Sequence, residues 1–186
     1  MKMNKPVYVP EQGSRMRLSS PAFGPFELMP REHTREGAGS SPALNWENLP
    51  LGVQSLALVM MDCDIPSPQR RLGQFIHWVV YNIPVEARGL PANFDQAAGA
   101  RLGACTAKNG SGRRGYYPPC PVMGQHEYIF RLYALDAAQL DTAVENYRNL
   151  MKAMAGHILD STELVGTYRC TILTPWQAML KNLLPD

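Results

Sequence analysis

Asp62 and Asp64 stand two residues apart where the apolar run Leu56–Met61 ends, in the segment Asp62-Cys-Asp-Ile-Pro66. On an extended chain such residues point to the same side. Two carboxylates on one face need water, a cation or hydrogen-bond donors around them. His77 lies between Ile76 and Trp78 in a second apolar segment, and His126 and Tyr128 repeat the i, i+2 spacing at the head of a third. Before them runs Gly115-Tyr-Tyr-Pro-Pro-Cys-Pro-Val-Met-Gly124, where prolines can hold backbone amides at fixed angles. Carboxylate, imidazole and phenol together could exchange protons, hold a metal or grip an anion. Local readings compete with these. The two aspartates could bind their own backbone in an Asx turn, and a histidine inside an apolar strand could be a satisfied core residue.

Spacing narrows the chemistry. No pair among Asp62, Asp64, His77 and His126 has a local metal spacing such as His-x-x-x-His. There is no Gly-x-Ser-x-Gly nucleophile elbow and no dinucleotide fingerprint, and Asn109-Gly-Ser-Gly112 lacks the phosphate-loop lysine. Neither a metal nor a cofactor is expected. Cys63, Cys105, Cys120 and Cys170 are far apart, with no Cys-x-x-Cys pair. They are expected to be four separate thiols rather than a disulfide framework.

The chain is 186 residues long, 45% apolar and 18% charged, which fits one globular domain that folds without staples. Lysine plus arginine exceeds aspartate plus glutamate by 18 − 16, or two charges, too few for a protein that binds nucleic acid by bulk charge. No stretch approaches the ~20 apolar residues of a membrane span. Lys2 and Lys5 are followed by no apolar export segment, so a cytoplasmic location with reduced thiols is expected.

Strands must position the candidate residues. The 15 Gly and 16 Pro argue against long helices. Residues 1–17 read as a loosely docked arm, Leu18–Pro30 as a first strand with irregular edges, and Leu44–Trp46 as a short strand. Ser55–Asp62 is a continuous apolar run suited to a strand buried on both faces. Gln74–Ile83 and Tyr128–Leu135 are β-branched and aromatic, hence central strands. Gly99–Gly124 is a long glycine-rich loop of the kind that carries function. Asp141 caps an expected helix with Val144, Tyr147, Leu150, Met154 and Ile158 on one face. Leu164–Leu173 reads as a last strand, and Thr174-Pro175 opens a second helix carrying Trp176, Leu180 and Leu183.

Taken together, the motifs resemble the phosphatidylethanolamine-binding proteins, in their bacterial and archaeal, Raf-kinase-inhibitor-like branch. Ser41-Pro-Ala-Leu-Asn-Trp46, Asp62-Cys-Asp-Ile-Pro66, Phe75–Pro84, Asn109–Pro121, His126-Glu-Tyr128 and Gly166-Thr-Tyr-Arg169 are similar to that branch's segments, in order and with matching gaps. The resemblance spans roughly residues 18–169. It implies a mostly β fold: an antiparallel β sandwich with a Greek-key sheet and a few peripheral helices, over residues 18–173. It also implies a small surface pocket for an anionic group such as phosphate or a phosphorylated head group. The pocket wall would be Asp62, His77, Pro121, His126 and Tyr128, with Asp64 and Pro66 shaping the rim and the Ile65–Pro66 bond cis. In that arrangement both histidines donate to the anion and Asp62 orients one of them. Cys63, Pro118, Val122 and Glu127 depart from the family pattern around the implied pocket and bear on its ligand preference.

The resulting expectation is non-catalytic binding of a small anion, with a kinase or protease as a possible class of protein partner. One alternative is an Asp/His acid–base or metal-assisted hydrolase using the same pocket. Another is an interaction module acting through a helix at residues 174–186, whose apolar stripe would be covered in a homodimer.

Overall fold

The computed structural model describes residues 15–140 and 144–171. Strands β1 (Arg17–Ser19), β2 (Leu44–Glu47) and β5 (Gly89–Leu90) form a small sheet in the order β1-β2-β5. Strands β3 (Ser55–Ser67), β4 (Arg70–Pro84), β6 (Cys105–Thr106), β7 (His126–Leu135) and β8 (Ile158–Tyr168) form a larger sheet in the order β6-β4-β3-β7-β8. Neighbouring strands within both sheets are antiparallel. The connection from β4 to β7 passes β3, so the larger sheet is not a simple meander. Helices α1 (Gln96–Leu102) and α2 (Tyr147–Ala153) are peripheral. The architecture is the antiparallel β sandwich implied by the motifs.

The two faces of β3 explain its uninterrupted apolar run. Leu56, Leu58 and Met60 point between the sheets, against Leu18, Leu44, Trp46 and Leu90. Ala57, Val59, Met61 and Cys63 point to the opposite face, where Leu150 and Met154 of the α2 segment cover them. With both faces covered, every residue from Leu56 to Met61 is buried, and each large side chain contributes about 1.5–3 kcal/mol. β7 alternates in the same way, with Tyr128, Phe130 and Leu132 toward the small sheet and Ile129 and Tyr133 toward α2.

Several boundaries differ from the sequence reading. Leu18–Pro30 pairs as a strand only at its start. Residues 26–29 then run along the end of β8, with Phe26 N donating to Val165 O and Met29 N to Thr167 O. Pro21 and Pro25 have no N–H to donate, and Phe26 takes a positive φ of 63° that breaks the extended chain. Gly166 admits this segment, since a Cβ there would lie 2.6 Å from Met29 Cγ. The helix expected from Asp141 starts only at Tyr147, because Asn146 is the cap and its side chain accepts from Asn149 N at 3.1 Å. Ile158 belongs to β8, which begins six residues before the expected Leu164 and ends at Tyr168. The long segment 99–124 contains the end of α1 and all of β6 before the proline loop begins. Asp141, residues 1–14 of the expected arm, and the expected helix at 174–186 with its proposed dimer contact lie outside the described residues.

Candidate functional site

Strand pairing gathers the site at one end of the larger sheet. Asp62 is in register with Phe75 on β4 and with Tyr128 on β7, so the three share a face. His77 arrives by an irregularity. Met60 pairs with Trp78 but Met61 pairs with Ile76, which leaves His77 as an extra residue opposite β3. Such a bulge re-aims side chains. Here the consecutive residues His77 and Trp78 both turn toward the inter-sheet side, Trp78 into the core and His77 against Tyr128, with ring centroids 5.2 Å apart.

The proline loop docks on this bulge. Tyr117 N donates to His77 O at 2.8 Å, and His77 Nδ1 lies 2.7 Å from Tyr117 O. The loop base is closed by Asn109, whose amide donates to Gly115 O at 3.0 Å. Gly110 fits beneath Phe75, where a Cβ would come within 2.7 Å of the ring. A second segment reaches the rim through Arg35, whose N–H donates to Pro119 O at 3.0 Å.

These elements enclose a cavity of about 320 Å³. Its polar groups come from Arg35, Asp62, His77, Tyr117, His126 and Tyr128, and its apolar wall from Ile65, Pro66, Phe75, Pro121, Val122 and Met123, with Cys120 beside them. The Ile65–Pro66 bond is cis. Thus Asp62, Pro66, His77, Pro121, His126 and Tyr128 come together, whereas Asp64 does not line the cavity. Its carboxylate lies 2.7 Å from Arg71 Nε across the β3–β4 hairpin and accepts from Glu127 N at 2.9 Å on β7. Asp64 therefore ties three strands together, as a buried carboxylate must when partners are at hand. Of the four departures from the family pattern, only Val122 lines the cavity; Cys63 is buried on the opposite face of the sheet.

The two histidines have opposite surroundings. His126 Nδ1 is 2.7 Å from Asp62 Oδ2, and its Nε2 is 2.9 Å from Met123 O. Both neighbours are acceptors, so both ring nitrogens are engaged within the protein. The other Asp62 oxygen accepts from Asp64 N at 2.8 Å. Asp62 and His126 are therefore a closed pair, with no N–H left for a ligand. His77 is different. Burial lowers its pKa from 6.5 to about 4, against the smaller opposing effect of its bond to Tyr117. It is neutral near pH 7, and its Nδ1–H goes to Tyr117 O. Its Nε2 then carries a lone pair, and the His77 side chain lines the cavity. The two rings expected to share one role thus differ: both His126 nitrogens face internal partners, while the neutral His77 ring keeps one nitrogen without an N–H.

Tyr128 holds an unused donor beside His77. Its hydroxyl is buried with no protein partner. Burial, and next the Asp62 charge, push its phenol well above the usual value, so it stays protonated. Arg35 supplies positive charge at the rim, with Nη1 3.4 Å from the Tyr117 hydroxyl and the guanidinium 5.8 Å from that ring's centre. Sequence reasoning missed Arg35, Phe75 and Tyr117 as wall residues. Arg35 sits in a polar glycine-rich stretch with no local signal, and its backbone bond to Pro119 and its side-chain contacts to Tyr117 bring it to the site. Among the described residues, no group of three or more His, Cys, Asp or Glu is placed to hold a metal ion.

Comparison with known proteins identifies the fold and the family. The sequence model of the phosphatidylethanolamine-binding protein family matches residues 19–169. A UPF0098 protein of Chlamydia muridarum is 39% identical over 153 residues, covering 82% of this chain and 98% of that protein. One from Methanothermobacter thermautotrophicus is 38% identical over 154 residues, covering 83% and 99%. Among solved structures, a phosphatidylethanolamine-binding protein homologue from Chlamydia trachomatis superposes with a TM-score of 0.73 at 36% identity, covering 82% of this chain and 96% of that one. Escherichia coli YbcL has a TM-score of 0.75 at 24% identity, covering 85% and 100%, which is a likeness of fold. The chain belongs to the phosphatidylethanolamine-binding protein family, whose bacterial and archaeal members include these UPF0098 proteins. No helix among the described residues is long and apolar enough to cross a membrane.

Proposed function

We propose that the cavity binds the phosphoryl group of a small anion or phosphorylated head group, without catalysing its turnover. The observation that carries this reading is the buried, unpartnered Tyr128 hydroxyl beside His77, with Arg35 at the rim. A phosphoryl monoanion matches these groups. One oxygen accepts from Tyr128, the P–OH donates to His77 Nε2, and the net charge faces Arg35. The apolar wall from Ile65 to Met123 takes the carbon part of a phosphomonoester. Asp62 faces the cavity with both oxygens already engaged, Oδ2 by His126 and Oδ1 by Asp64 N. Turnover is not supported: both Asp62 oxygens and both His126 nitrogens are already engaged, so neither side chain is placed to pass a proton to a ligand.

The complex holds one proton between His77 Nε2 and the phosphoryl oxygen. A phosphomonoester loses its second proton at a pH of about 6, and His77 is already neutral there. Affinity is therefore expected to fall as pH rises from about 6 to 8, by up to tenfold per unit. Calorimetric titration with phosphate, phosphoethanolamine and a phosphoserine peptide across that range tests this and separates the possible sources of the phosphoryl group. Sulfate, which carries no proton at these pH values, should bind more weakly than phosphate. Tyr128→Phe should weaken phosphate at least about tenfold, the loss of one hydrogen bond to a charged group. Equal affinity for phosphate and sulfate, or a flat pH profile, would overturn the proton-sharing arrangement. No heat from any of the three probes at millimolar concentration would overturn anion binding itself.

A further inference from the structure

Cys120, in the cavity wall, and Cys170, just beyond β8, are separated by 50 residues in sequence, yet their Sγ atoms lie 2.9 Å apart. An S–S bond is about 2.05 Å long, so less than an ångström separates the two thiols from bonding distance. We propose that Cys120 and Cys170 form a redox-active dithiol site, closed to a disulfide by low-molecular-weight disulfides such as oxidised glutathione and reopened by the matching thiol. This goes beyond the anion-binding reading and does not rest on it. It also departs from the expectation of four unconnected thiols.

The juxtaposition is built by neighbouring residues rather than by the sulfurs. Arg35 N donates to Pro119 O at 3.0 Å, fixing the residue before Cys120. The next residue, Glu36, accepts from Thr171 N at 2.8 Å and Thr171 Oγ1 at 3.0 Å, fixing the residue after Cys170. Its carboxylate also accepts from the Tyr168 hydroxyl. One dipeptide thus clamps both cysteine segments, and Pro119 and Pro121 stiffen the chain on either side of Cys120. Both cysteines are partly exposed, so a small oxidant can reach them, while Cys63 is buried on the other face of the sheet. Cys105 is exposed in β6 and has no such clamp.

The chemistry balances with one small disulfide. The Cys120 thiolate, on the cavity side, attacks one sulfur of the oxidant, and the other sulfur leaves as a thiol. The Cys170 thiolate then attacks the Cys120 sulfur of this mixed disulfide and displaces the second small thiol. Two protein thiols are oxidised, one disulfide is reduced, and two protons end on the released thiols or in solvent. Because the partners are held together, the second step is intramolecular and outruns release of the mixed species. The product ties the cavity wall to the end of the last strand.

The test uses the full chain in glutathione buffers of stepped ratio, read by intact mass, peptide mapping and thermal unfolding. Oxidation should remove the mass of two hydrogen atoms and link the Cys120 and Cys170 peptides. It should also raise Tm by about 5–15 °C, reversibly on reduction. Cys105→Ser should leave all three readouts unchanged, while Cys120→Ser and Cys170→Ser should each leave a glutathione adduct on the surviving partner. Cross-links involving Cys63 or Cys105, stable glutathione adducts on both Cys120 and Cys170, or no reaction at any ratio would each overturn the proposal.

Discussion

His77 and His126 stand in one cavity wall, close to the same aspartate, and the fold treats them in opposite ways. His126 is enclosed by acceptors, Asp62 on one nitrogen and Met123 O on the other, so both ring nitrogens are engaged within the protein. His77 has a single acceptor, Tyr117 O, and is otherwise packed among the rings of Phe75, Tyr117 and Tyr128. There desolvation dominates and favours the neutral ring. The contrast separates two tasks. The closed pair holds β3 and the β7 end together, and the open imidazole is the ring that the proposed anion would meet.

Breaking the closed pair should have the largest effect. Asp62→Ala removes the acceptor for His126 and for Asp64 N, leaving a buried imidazole with one contact in place of two. Breaking a buried pair in this way costs about 3–5 kcal/mol, readable as a lower urea midpoint. The double variant Asp62→Ala/His126→Ala should lose clearly less than the sum of the two single changes. Additive losses would mean that the two side chains do not act as a pair.

The open histidine should show itself in pH dependence. Its folded-state pKa lies near 4 and its unfolded value at 6.5. Between these limits the unfolded chain binds the proton that the folded chain refuses. His77 therefore adds nothing adverse above pH 6.5, takes stability away as pH falls toward about 4, and adds no further loss below that. The full loss is about 3 kcal/mol. His77→Asn keeps a donor for Tyr117 O but does not titrate, so its unfolding free energy should depend less steeply on pH across that window. Parallel pH profiles for the two proteins would show that His77 is not desolvated as its burial implies.

Much of this site was readable from spacing alone. His126 and Tyr128 head β7, Asp62 closes the apolar run within β3, and the alternation of side chains along a strand puts Asp62 and Tyr128 on one face once the pairing is known. The same rule misled for Asp64, which follows the turn of the irregular hairpin end toward Arg71. His77 could not be placed by alternation, because a bulge shifts the parity of β4 at that very residue. Hydrogen-bond roles were also out of reach: whether a ring nitrogen donates depends on which carbonyl faces it, here Tyr117 O and Met123 O, both in the proline loop. The Cys120–Cys170 contact was invisible for a related reason. Fifty residues of chain carry no local sign that Arg35 and Glu36 clamp both ends.

The smallest effect should come from Arg35. Its side chain is exposed, so its charge is screened by water and salt, unlike the buried groups beside it. Its backbone N–H, which holds Pro119, survives any side-chain truncation. Arg35→Ala should therefore leave the loop in place and the unfolding midpoint nearly unchanged. What it removes is the cation above Tyr117 and its contribution to holding an anion. An exposed ion pair is worth about 0.2–1 kcal/mol, so phosphate affinity should fall about two- to fivefold at low salt. Because screening already weakens the wild-type contact, the gap between the two proteins should narrow as ionic strength rises. His77→Asn should lose affinity by a factor that salt hardly changes, since its contact is a short hydrogen bond rather than a screened charge. If the Arg35→Ala deficit held constant with salt, the side chain would be shaping the loop rather than attracting the anion, and the electrostatic half of the comparison would fail.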